Sequence, residues 1–142
     1  MTRINYVRVL LGGLVAGVVA NVCDVITNMV LMTTDMQLML QRLGRDVNVM
    51  NQPATAITWA IIDFIYATVI VFTYAAIRPR FGPGPKTAMT AGLITFVPVA
   101  VVLFGFFAMD IFSPQVYFKN TALSLVTTML ASLAGGAVYK ES

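Results

Sequence analysis

The chain divides by hydrophobic pattern into four long apolar runs, 6–32, 56–77, 87–109 and 115–139. Each reaches the roughly 20 residues that a helix needs to cross a bilayer. The first contains a single charge, Asp24, and the second a single charge, Asp63. The third contains none, and the fourth carries Lys119 close to its start. No run alternates with period two, as a barrel strand would, and lipid tolerates only helices or closed barrels. The pattern therefore predicts an all-α polytopic membrane protein: a four-transmembrane-helix bundle, one domain over 1–142, with too little chain left over for a soluble unit. Arg3 and Arg8 ahead of an apolar run have the layout of a leader, with Val18-Val19-Ala20 as the cleavage point. The run continues well past Ala20, so it reads as a retained span.

Local signals place the breaks. From Asp35 to Leu43 the chain is less apolar, with Met36, Met39, Leu40 and Leu43 at helical spacing. This predicts a short amphipathic interfacial helix after the first span, either separate or continuous with it, stopped by Gly44. Pro53 precedes the second span, and Arg78-Pro79 is expected to end it, because the residue before a proline disfavours helix. Gly82-Pro83-Gly84-Pro85 predicts a stiff non-helical hairpin. Ser113-Pro114 supplies a capping hydroxyl and a first-turn proline for the fourth span. Pro98 should kink the third span, and Gly105 allows further bending.

Composition agrees with the pattern and narrows the chemistry. Of 142 residues 58% are apolar and 11% charged, with mean hydropathy +0.84. Soluble domains carry about 25% charged residues, so soluble and disordered classes are excluded. The chain has no histidine and one cysteine, Cys23. A histidine-based triad, a classical zinc site, a histidine-ligated haem and an internal disulfide are thereby removed. No cofactor is evident; a bound lipid or pigment remains open, with no histidine to ligate haem or chlorophyll. Six basic residues (Arg3, Arg8, Arg78, Arg80, Lys86, Lys140) fall on the side of the termini and three (Arg42, Arg45, Lys119) on the other. The positive-inside rule then puts both termini in the cytoplasm. The net charge of +3 is a topology signal and does not point to nucleic acid.

Small and polar residues form stripes. On the first span Gly13, Gly17, Asn21, Asp24 and Asn28 fall within an arc of about 80°. Gly13 and Gly17 make a G-x-x-x-G, which lets a second helix approach closely. On the second span Ala56, Ala60, Asp63, Ala67 and Tyr74 share a face; on the fourth, Thr121, Ser124, Thr128, Ser132 and Gly135 do. These stripes are expected to face one another. A carboxylate in lipid must be neutral or paired, and Asn21, Asn28 and Thr128 are the expected partners of Asp24. Asp63, about two turns into its span, is placed to share an outward-facing polar pocket with it. Met29, Met32, Met36 and Met39 form a further stripe, read as a soft surface for lipid or a partner. The loop cations Arg78, Arg80 and Lys86 predict a clamp for anionic headgroups or an acidic partner. Trp59, Tyr66, Tyr74, Tyr117, Phe118 and Tyr139 read as interface anchors.

Gly12-Gly13-Leu14-Val15-Ala16-Gly17, together with Tyr74-Ala75-Ala76-Ile77-Arg78-Pro79-Arg80-Phe81-Gly82-Pro83-Gly84-Pro85-Lys86-Thr87-Ala88, resembles a group of small, uncharacterised bacterial four-span membrane proteins. The resemblance implies a fold and a bacterial inner-membrane location, and no activity. Small multidrug transporters are similar in having four spans and one essential carboxylate in the first. Asp24 would take that part, in a longer chain whose surrounding residues differ. Two functions are expected from these features. One is a non-catalytic accessory subunit of a larger respiratory or photosynthetic membrane complex, in contact with neighbouring subunits, further copies of itself and lipids. The other is a small oligomeric proton-coupled transporter or channel working through Asp24 and Asp63.

Overall fold

The structure, a computed structural model, describes residues 4–140; Arg3, counted above, lies outside them. Among the described residues there are five α-helices and no strand. α1 (Tyr6–Ile26) is prolonged by a π-turn, Thr27–Leu31. α2 (Thr33–Arg42) follows, then a 3-10 turn (Val47–Asn51), α3 (Pro53–Phe81), α4 (Pro85–Ala108) and α5 (Pro114–Val138). Four segments are long and apolar enough to span a membrane: Tyr6–Leu31 and the whole of α3, α4 and α5. The helix starts follow from local chemistry. The Asn5 side chain accepts from the Arg8 N–H, the Ser113 hydroxyl accepts from the Val116 N–H, and prolines open α3, α4 and α5.

Successive spans run antiparallel. α1 packs on α3 and α5, α4 packs on α5 and α3, and α3 touches α5 across the bundle. Both ends of the described chain therefore lie on one side, the terminal side, and α2 lies on the far side. Small residues set the spacing. A β-carbon on Gly135 would stand 2.4 Å from Val71 Cγ2 and 3.0 Å from Ala16 Cβ. On Gly13 it would meet Thr68 Oγ1 at 2.6 Å, and on Gly17 it would run into the Phe64 ring. Ala67 is fully buried, and Ala60 and Ser124 are half-buried. In lipid no hydrophobic force drives helices together, so this contact packing is what holds the spans.

The core is lopsided. Val9, Ala16, Ala20, Ala67, Ile70, Val71, Tyr74, Ala75, Ala88, Ala91, Ala131 and Tyr139 form one cluster, which fills the terminal-side half and reaches the middle of the bundle at Ala20 and Ala67. In α4 the last buried residue is Phe96; from Val97 to Ala108 none is buried. α4 runs unbroken through Pro98, which faces outward where burial ends.

Several sequence expectations change. α3 passes through Pro79 and stops at Gly82, whose φ of +79° is left-handed and whose N–H closes on the Arg78 carbonyl. Proline's own φ is helical, so in a last turn it removes only one hydrogen bond. Tyr74 and Tyr139 are core residues, not interface anchors. Each is 3% exposed, and their hydroxyls accept from the Gly84 and Asn5 N–H groups. The methionine stripe is not one surface. Met29 is 72% exposed whereas Met32 is fully buried, because the π-turn and the bend at Met32 break the α-helical register that aligned them. α2 begins at Thr33 and is separate from the first span. Gly44, with φ +65°, follows its C-cap as expected.

Candidate functional site

The site is a carboxyl pair inside the membrane. Asp24 lies near the end of α1, just before the π-turn, and Asp63 lies ten residues into α3. The two carboxyls lie within interaction range of each other. Asp63 is 8% exposed and Asp24 is half-buried. Helix direction explains the meeting. Each Cα–Cβ bond leans toward its own helix N-terminus. In antiparallel α1 and α3, with Asp24 nearer the far side, the two carboxyls lean toward each other. An ionised carboxylate only accepts, so two carboxyls can hydrogen-bond directly only when one of them carries a proton. Among the described residues, every lysine and arginine within a span lies in its first or last six positions.

The expected partners of Asp24 are engaged elsewhere. Asn21 donates from Nδ2 to the Gly17 carbonyl at 2.9 Å, and Asn28 donates to the Asp24 carbonyl at 2.9 Å. A backbone carbonyl one turn back is always within an asparagine's reach, so the ladder binds its own helix. The buried Thr128 hydroxyl pairs with Tyr66 across α3 and α5 at 3.3 Å. The polar stripes do face one another, but through separate bonds and not one network around Asp24.

The π-turn beside Asp24 was not foreseen. Met32 N–H closes on the Thr27 carbonyl at 2.8 Å, and the Thr33 hydroxyl donates to the Asn28 carbonyl at 2.7 Å. Side chains of Asn28 and Thr33 thus supply bonds where the backbone ladder widens. Such turns recur at functional positions in helices. The only trace in the sequence is the cluster of short polar residues Thr27, Asn28, Thr33 and Thr34.

The charged surfaces differ between the two sides. On the far side Arg42 pairs with Asp110, and Lys119 with Asp35 at 2.7 Å, while Gln115 donates to the same Asp35 carboxylate at 3.0 Å. These contacts tie α2 and the α4–α5 connection to the bundle. On the terminal side Arg78 is half-buried, its guanidinium 5.6 Å from the Tyr139 ring centroid. Arg80 and Lys86 are exposed. The three loop cations therefore do not form one open clamp: Arg78 turns inward because α3 continues past it as helix. Comparison of the chain with protein-family models, with curated proteins and with solved structures gives no match.

Proposed function

We propose that the protein is a small proton-coupled membrane protein in which Asp24 and Asp63 hold and release a proton between α1 and α3. The observation that carries this reading is the approach of two carboxyls on different spans, with the basic residues of the described spans confined to their first or last six positions. Carboxyls within membrane spans recur in proton relays. The π-turn beginning three residues after Asp24 supplies a backbone segment with rearrangeable bonds beside the pair. The test is infrared spectroscopy of the protein in bilayers, with proteoliposomes carrying an internal pH dye under an imposed proton gradient. The carbonyl stretch of a protonated carboxyl is expected in the native protein and lost in Asp24→Asn and in Asp63→Asn, with proton flux lost alongside. A band and a flux that both survive in each variant would refute the assignment.

A second reading, a non-catalytic accessory subunit of a larger membrane complex, is favoured by the far-side half of α4. A β-carbon on Gly105 would meet nothing within 4 Å, and no residue from Val97 to Ala108 is buried. A small residue on an open apolar face is a seat for a neighbouring helix. Native purification in mild detergent discriminates: fixed stoichiometry with other subunits supports it, and a lone homo-oligomer counts against it.

A further inference from the structure

We propose that the terminal-side mouth of the cleft between α4 and α5 binds one anionic phospholipid, its acyl chain in the cleft and its phosphate on the surrounding cations. The cleft has a volume of about 150 Å³ and is lined by Tyr74, Gly84, Pro85, Ala88, Leu133 and Ala137, among others. A dry apolar cavity of about that size accommodates a benzene-sized guest, equivalent to a short stretch of acyl chain. The hydroxyl on its wall, that of Tyr74, is engaged by the Gly84 N–H at 3.3 Å. The lining therefore selects an apolar guest.

The rim selects the charge. Lys86 follows Pro85 directly, Lys140 lies three residues beyond Ala137, and Arg80 stands in the last turn of α3 beyond Tyr74. All three are exposed. By sequence the terminal side carries six bases against one acid, Glu141, and the far side three against three. Two of the far-side bases are bonded to aspartates. Unbalanced cations beside an apolar cleft fit an amphiphilic anion, and neither half of such a ligand would be held as well alone. Each basic residue near the surface contributes about fivefold to the retention of an anionic lipid.

The test is native mass spectrometry of the purified full chain with phosphatidylglycerol and phosphatidylethanolamine of identical chains. The expected result is retention of one phosphatidylglycerol, at least about fivefold over phosphatidylethanolamine. The R80Q/K86Q double variant should lower that preference, leaving only what Lys140 supplies. Ala137→Leu, at an exposed lining position, should fill the cleft and lower phosphatidylglycerol retention with the cations intact. Excess glycerol phosphate, the headgroup without chains, should not displace the lipid. Equal retention of both lipids by the native chain, an unchanged preference in R80Q/K86Q, or no effect of Ala137→Leu would each overturn the proposal. Displacement by glycerol phosphate would overturn it in favour of a free phosphate site.

Discussion

The two halves of the bundle are built on different principles. In the terminal-side half, glycine and alanine let the spans touch, and the core from Val9 to Tyr139 is closed. In the far-side half α4 is unburied beyond Phe96, aromatics of α4 and α5 stack on one another, and the spans are linked by polar bonds. The carboxyl pair lies where one regime gives way to the other. Close contact fixes the ends of α1 and α3 that lie toward the termini, while the end of α1 beyond Asp24 leaves the α-helical register through its π-turn. A site that must take up and release a proton needs a rigid support and a segment able to rearrange, and the division supplies both.

Gly135→Val tests the closed half most severely. Its added atoms have Val71 and the Gly12 carbonyl in the way, and overpacking of a filled interior costs about 3 kcal/mol or more. Reversible unfolding in mixed detergent micelles should show that loss, whereas Gly105→Val should leave stability nearly unchanged. Equal tolerance at the two glycines would dissolve the distinction between the halves. The next largest effect is expected from Ile70→Ala, at a position 1% exposed. The transfer term largely vanishes in lipid, leaving a cavity penalty of roughly 2 kcal/mol. Val101→Ala on the 65%-exposed face of α4 should cost under about 0.5 kcal/mol by the same assay. Asp24→Ala should cost about 1–2 kcal/mol, because it leaves the buried Asp63 without its partner. Asp24→Asn, which retains a hydrogen-bonding group, should cost less; similar losses in the two variants would show that the carboxyl contact is not what stabilises the site. Lys119→Gln is the mildest, at no more than about 0.5 kcal/mol, since the Lys119 side chain is 47% exposed and Gln115 keeps its own bond to Asp35. A larger loss would show that the far side depends on its ion pairs for more than register.

The spans and their stripes were legible because lipid imposes a strict length and polarity code on a helix. The Gly13–Gly17 approach to α3 and the burial of Asp63, Ala67, Thr128 and Ser132 follow from period 3.6 alone. What could not be read depended on a change of that period or on rotamer choice. Met32 enters the core because a π-turn alters the phase after Ile26, and the short polar residues around it do not by themselves specify that change. Asn21 and Asn28 share a face with Asp24 but spend their amides on their own backbone, a choice made at one side-chain torsion. Pro79 misled in the opposite direction: its rule holds for helix interiors, and in a final turn Gly82 was the stronger stop signal.

The π-turn also marks where the first span can change length at little cost. A turn of this kind accommodates one residue more than an α-turn. Deleting one residue within Thr27–Leu31 should return the segment to α-helix and leave Asp24 facing Asp63. The same deletion near Gly13 would rotate everything beyond it by about 100° and carry Asp24 off its partner. Insertions and deletions among descendants of this sequence should therefore collect at the end of α1 that lies beside the site, and be absent from its glycine-rich beginning.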